Sequence, residues 1–278
     1  MVPLRCNLSA LVVAGTGQRC GTSFLHLWNI LTGKGIMTYQ KVARGKPADY
    51  GQEILRRRAR ITAATIPLSG RLVLDFGAGN GAQTLELVKL GCRVVACDID
   101  QDDLDVLSRY LKDNNIDTVT PVRYDGSTLP FAANHFDAVV SFAVLEHVQD
   151  EEKSLSEIFR ILKPGGDFLI AVPNKWWVFE THGARLPLLP WNRVPFFSWL
   201  PRPLHSKFAN ARIYRKKDIV SLLLAHGFDI HESFYMTAPM DVVKSPSVQR
   251  LLRTYVFRGD RSTVPFLSTE VFVHARKP

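Results

Sequence analysis

This 278-residue sequence has no long apolar run. Its longest apolar stretches fall far short of the roughly 20 residues a helix needs to cross a bilayer. Cysteine is scarce: Cys6, Cys20, Cys92 and Cys97 show neither zinc-site nor redox-pair spacing. Cys92 and Cys97 flank a strand-like run and read as small buried residues. The eight histidines are scattered, and no pair stands at ligand spacing with acids, so no metal is expected. There is no internal repeat or low-complexity tract, which excludes solenoids and fibrous arrays. No secretory leader is recognisable, and with so few cysteines a reducing cytoplasm is the expectation.

What is present is one domain's worth of apolar residues and an uneven charge. Hydrophobic residues make up 46% of the chain, enough for a full core. The net charge is +9, yet Leu72–Leu162 holds 16 acids against 7 Lys and Arg. The flanks are therefore basic, which fits either a solvated surface or an anionic partner.

From residue 71 the pattern alternates. "RLVLDF", "RVVACDI", "VTPVRY", "FDAVVSF" and "DFLIAVP" are apolar strands. Between them lie helical stretches such as "AQTLELVKLG" and "DQDDLDVLSRYLKDNN", the second with Asp100 as its N-cap. This alternation predicts an α/β fold with a parallel sheet covered on both faces. A basic helical segment, "YGQEILRRRARITAAT", precedes it. After it comes residues 174–212, holding four Trp among prolines without a clean period, which reads as a lid. "RKKDIVSLLLAHGF" resumes as helix, and "DIHESFYM" and "TEVFVHARK" are two strands joined by a basic connection.

The chemistry-bearing stretch is "VLDFGAGNG". Its glycines permit a sharp strand-to-helix turn and close approach of backbone to a ligand. Gly77, Gly79 and Ala82 fit a dinucleotide fingerprint, with Asp98 suitably placed for a ribose, so an NAD-linked oxidoreductase is one reading. Asp75 favours another. A carboxylate two residues before Gly77 would repel a pyrophosphate but can favour the ammonium of S-adenosylmethionine (SAM). Asp98 would take the ribose hydroxyls and Asp125 the adenine amino group, one acid at the end of each of three successive strands.

Residues 71–172 resemble the class I SAM-dependent methyltransferases, of the small-molecule type that includes ubiquinone-biosynthesis enzymes. "VLDFGAGNG", "VVACDID", "VRYDGSTLPF", "FDAVVSFAVLEHV" and "ILKPGGDFLIAVPN" carry the resemblance. It implies a Rossmann-like seven-stranded sheet, mostly parallel, with an antiparallel last strand and a lid after the fifth. It also implies that Asp75, Gly77, Ala78, Gly79, Asp98, Ile99, Asp125 and Gly126 hold SAM, and that Phe142 and Ala143 line the cofactor pocket. The Asn/Asp-Pro-Pro-aromatic run of enzymes that methylate base or amide nitrogens is absent; "SFAVLEHV" stands there. Wobble-uridine RNA methyltransferases share a similar core, so nucleic acid stays open as an acceptor.

Methyl transfer is an in-line displacement that alignment accelerates, and a general base helps when the acceptor is a hydroxyl or an acidic carbon. His147 in "LEHV" is the first candidate base, the alternative being that it orients its loop. His182 and Glu180 in "WWVFETHG" are the second pair. The aromatic lid predicts an apolar or amphiphilic acceptor, with peripheral membrane contact through the lid as a further expectation. The reading is thus a transferase moving methyl from SAM to oxygen or carbon of such an acceptor. A module that binds SAM without acceptor chemistry is a further rival. The domain expectation is an extension at 1–36, a basic helical segment at 37–70 and the methyltransferase domain at 71–278. The extension's "VVAGTGQRCGTSFL" resembles the phosphosulfate loop of sulfotransferases but has no Walker lysine, and Arg19 would have to substitute. It reads as vestigial, or as an over-extended start with Met37 the natural one.

Overall fold

A computed structural model describes residues 52–182, 184 and 195–278. The chain divides into the units Met1–Val42 and Ala43–Pro278, and all described residues belong to the second. The glycine loop at residues 14–21, Met37 and Trp191 lie outside the described residues.

In chain order the elements are α1 (Glu53–Thr65), β1 (Leu72–Phe76), α2 (Ala82–Val88), β2 (Arg93–Asp98), α3 (Gln101–Asp113), β3 (Val119–Arg123), β4 (Phe136–Phe142), α4 (Glu151–Ile161), β5 (Leu162–Pro173), α5 (Arg202–Phe208), α6 (Lys216–Ala225), β6 (Asp229–Thr237), α7 (Pro246–Tyr255), β7 (Arg261–Ser262) and β8 (Ser268–Arg276). They form one sheet in the order β3-β2-β1-β4-β5-β8-β6-β7. Strands β1 to β5 pair in parallel, and β8 inserts antiparallel between β5 and β6. The Rossmann-like α/β fold with an antiparallel last strand is as the sequence led us to expect. One correction concerns the count: a two-residue strand, β7, adds an eighth member at the edge beyond β6.

The apolar runs are central strands because both their faces are covered. Leu74, Phe76 and Val139 pack with Leu155, Ile158 and Phe228 on one side. Val73, Val94 and Val140 pack with Leu107, Leu169 and Phe272 on the other. The strand order reverses between β1 and β4, so a crevice opens at their carboxyl ends, where open α/β sheets bind ligands. Helix α3 starts where Asp100 accepts the amides of Asp102 and Asp103.

Two segments differ from expectation. Residues 174–212, read as a lid without a clean period, contain α5, because Pro201 precedes it and Pro203 sits in its first turn, where no amide is needed. The basic connection between the last long strands contains α7, started by a Ser245 cap to the Val248 amide with Pro246 in the first turn.

Candidate active site

The crevice is built by the loop between β1 and α2. The amides of Gly77 and Ala78 donate to the Cys97 carbonyl at 2.8 and 3.1 Å, which pins the loop to β2. A Cβ on Gly77 would lie 2.3 Å from Val144, so this glycine is required for packing against the loop after β4. Gly79 differs: its φ is +52°, and a Cβ there would face open space, with only an Asp103 oxygen near, at 3.9 Å. The backbone at Gly79 is thus the part of the loop a ligand can approach.

The three acids expected to hold a cofactor occupy three environments. Asp98 ends β2, half-buried; its two oxygens accept the amides of Gly79 at 2.7 Å and Asp100 at 3.0 Å. Each oxygen keeps a lone pair for a further donor. Asp75 is buried, 2% exposed, and accepts the Thr84 hydroxyl at 2.7 Å. Burial pushes its pKa up to about 6. Through the oxygen that accepts the Thr84 hydroxyl it ties β1 to α2. Asp125 is exposed, and one oxygen accepts the Thr128 amide and the Ser127 amide and hydroxyl, which lower its pKa to about 2. That oxygen shapes the turn, and the other has no such partner among the described residues. Ile99 stands 49% exposed beside Gly126, an apolar side chain at the crevice edge.

Phe142 ends β4, and Ala143 follows with φ +60°. Both line a cavity of about 340 Å³ at the carboxyl ends of β4 and β5, where Pro173 also lines it. Its remaining walls come from α1 (Ile54, Leu55, Arg58), from Trp177 and Phe179 after β5, and from Met240 and Val242 after β6. Arg58 is fixed there by a two-pronged ion pair with Glu270 of β8 and lies 5.5 Å from the Phe142 ring centre. Asp241 holds α1 over the cavity by accepting the amides of Glu53 and Ile54 at its N-terminus.

The candidate bases regroup. The sequence paired His182 with Glu180, but the Glu180 carboxylate is engaged by His205 at 2.8 Å and by the His182 amide at 3.2 Å. Glu180 thus fixes the lid, although it borders the cavity. The His182 ring instead packs edge-on to His147, centroids 4.8 Å apart, with Nε2 3.4 Å from Glu146. Glu146 is 3% exposed, and no described residue donates a hydrogen bond to either of its oxygens. Burial pushes its pKa up to about 8. Burial also lowers that of His182 to about 3, so its imidazole is neutral. The ligating atoms of Glu146, His147 and His182 lie within 4.8 Å of one another, a donor set a divalent cation can also use. Sequence reasoning assigned no part to Arg58, Glu270, His205 or Asp241. Arg58 was one of several arginines in a basic stretch, and nothing local set it apart.

Residues 74–170 match the methyltransferase domain family. The chain is similar to the demethylmenaquinone methyltransferase of Clavibacter sepedonicus, 38% identical over 113 residues, which covers 41% of this chain and 45% of that protein. It is similar also to the ubiquinone biosynthesis O-methyltransferase of Rhizobium rhizogenes, 30% identical over 167 residues, covering 59% and 62%. The chain thus spans about half the length of such relatives. In fold it resembles a SAM-dependent methyltransferase from Aquifex aeolicus, with a TM-score of 0.54 at 14% identity over 82% of this chain and 95% of that one.

Proposed function

We propose that this chain, whose residues 74–170 match the methyltransferase domain family, is a class I SAM-dependent methyltransferase that moves a methyl group from SAM to oxygen or carbon of a small apolar or amphiphilic acceptor. One observation carries the acceptor class: the cavity beside Ala143 is walled by Ile54, Leu55, Trp177, Phe179, Met240 and Val242. Similarity to two quinone-pathway methyltransferases supports the same class.

The crevice fits the cofactor. The Gly79 backbone faces open space, Asp98 keeps lone pairs for ribose hydroxyls, and Ile99 with Gly126 offers an apolar edge for a base. When bound, SAM supplies an electrophilic methyl on a sulfonium. The chain's own residues then align and deprotonate. The apolar walls exclude water and hold the acceptor beside Phe142 and Ala143. His182 borders the cavity; with Nε2 turned to Glu146, its neutral ring can take the acceptor's proton at Nδ1, beside which the Thr181 hydroxyl lies at 3.0 Å. The imidazolium so formed is stabilised by an ionised Glu146 at 3.4 Å. Because Glu146 titrates at about 8, the competent form is the one above that pH. Glu180 and His205 hold the lid turn that carries His182.

The test measures S-adenosylhomocysteine release by the full chain. Prenylated phenols and hydroquinones should turn over, and short polar phenols should turn over far less. Equal turnover on both sets would refute the acceptor class. Turnover on unmodified RNA alone would replace it with the nucleic-acid reading. Binding of NAD but not SAM in a titration would overturn the methyltransferase reading.

A further inference from the structure

Helix α7 has no buried residue. Its half-buried face is spent on the domain. Gln249 donates to the carbonyls of Met240 and Val243, Arg253 reaches the Pro239 carbonyl and Asp241, and Leu252 packs on the cluster of Trp177, Ala238 and Phe257. The opposite face carries Val248, Leu251 and Tyr255, spaced i, i+3 and i+7, at 47%, 57% and 73% exposed, with Val256 following. Such spacing makes one continuous stripe. Residues 242–259 contain Lys244, Arg250, Arg253 and Arg258 and no acid. Arg250 and Arg258 are exposed. The segment begins at the cavity rim, since Met240, Asp241 and Val242 line the cavity and Val242 is itself 46% exposed.

We propose that α7 docks this domain onto an anionic lipid surface, its Val248–Leu251–Tyr255 stripe entering the headgroup region and the exposed Arg250 and Arg258 meeting the lipid phosphates, with the cavity rim close to the bilayer. The proposal uses the apolar-acceptor reading for its purpose but not for its evidence, which is the exposed stripe and the one-signed charge around it. A basic amphipathic face gains binding from both buried apolar area and attraction to anionic headgroups. The uncharged aromatic group of Phe196, Trp199 and Phe266, whose rings touch in sequence at 4.9 and 5.6 Å, is the competing surface. Its described basic neighbours are already engaged, Lys175 by the Ser198 and Leu200 carbonyls and Arg202 by Asp218.

The full chain is mixed with phosphatidylcholine vesicles, with and without phosphatidylglycerol, and floated on a density gradient. It should float with the anionic vesicles and be released by raised salt. The double variant Leu251→Asp/Tyr255→Asp should lose binding by about tenfold or more, while its circular dichroism and SAM affinity stay unchanged. Trp199→Asp/Phe266→Asp should retain vesicle binding. The proposal is overturned if the chain ignores anionic vesicles or if the α7 variant floats like the parent. It is equally overturned if sedimentation shows a dimer that the α7 variant dissolves, because the stripe then serves a second copy. Flotation needs no acceptor, so failure of the methyl-transfer reading is scored separately by S-adenosylhomocysteine release.

Discussion

Replacing Glu146 by Gln should flatten the way this fold's stability depends on pH. The carboxyl is buried, and burial raises its pKa from 4.5 to about 8. Arg58 and Arg212 pull the value down and Glu270 pushes it up, but desolvation outweighs them all. The neutral His182 ring faces it at 3.4 Å. A folded-state pKa above the unfolded one means that protonation contributes stability fully present below about pH 4.5. That contribution is lost as pH rises towards 8. The displacement corresponds to at most roughly 5 kcal/mol, at about 1.4 kcal/mol per pKa unit. Relaxation and water entry around an ionised carboxylate reduce this, so we expect a gap of about 2 kcal/mol at pH 8.5. Gln has the same shape and cannot ionise. The two proteins should therefore unfold at similar temperatures at pH 5 and separate by about 4–8 °C at pH 8.5, with the variant higher. Thermal unfolding followed by circular dichroism at half-unit pH steps, without SAM, measures this. A gap that stays constant from pH 5 to 8.5 would refute the buried, unpartnered carboxyl.

The same substitution should lower kcat/KM by about a hundredfold and remove a rise with pH centred near 8, because an amide cannot hold the imidazolium; an unchanged profile assigns the proton elsewhere. Asp98→Ala should weaken SAM binding by roughly 1–3 kcal/mol in a calorimetric titration, since ribose hydroxyls lose a charged acceptor; unchanged affinity would sink the cofactor assignment. Gly79→Val should abolish SAM binding in a folded protein, because its Cβ faces open space, whereas Gly77→Ala should lower the melting temperature, because its Cβ meets Val144 at 2.3 Å; a folded, SAM-binding Gly79→Val protein contradicts the first. Exhaustive chelation should leave turnover within about twofold if Glu146, His147 and His182 handle protons; loss restored by a divalent cation gives the cluster to a metal.

The sheet was legible because each strand is a short apolar run bounded by a capped helix or a glycine, and these are local signals. Asp100 as a cap and the placement of Asp98 beside Gly79 follow from strand ends alone. The structure departs where a side chain's partner is distant in sequence. The bond of Asp75 to Thr84, which ties β1 to α2 through one oxygen, gives no sign in the sequence. Glu180 reads as a partner of His182 until His205, 25 residues on, claims its carboxylate. His147 and His182 read as separate candidates, and only the return of the lid over β4 brings their rings together. Helix α7 was missed because its outward apolar residues suggested no core, and the Ser245–Pro246 start signal was passed over.

The cavity proposed for the acceptor lies mostly outside the segment that matches the family. That segment ends at residue 170, and of the cavity's lining residues only Phe142 and Ala143 fall within it. The rest come from α1, from Pro173 at the end of β5 and the stretch after it, from the turn after β6 and from Thr269 and Glu270 of β8. On the reading proposed above, cofactor handling and acceptor choice rest on different parts of the chain, and similarity in the first says little about the second. His182 facing Glu146 joins the two parts at the cavity, while Arg58 to Glu270 and Asp241 to the first turn of α1 tie the cavity's own elements together. Trp177 forms a wall together with Phe257 and Leu252, which α7 holds in place. Trp177→Ala should accordingly raise KM for a bulky acceptor or admit a larger one, with SAM affinity within about twofold of the parent. A loss of SAM affinity matching the loss in KM would mean that the cavity and the crevice are one site, and acceptor choice could not then be separated from cofactor binding.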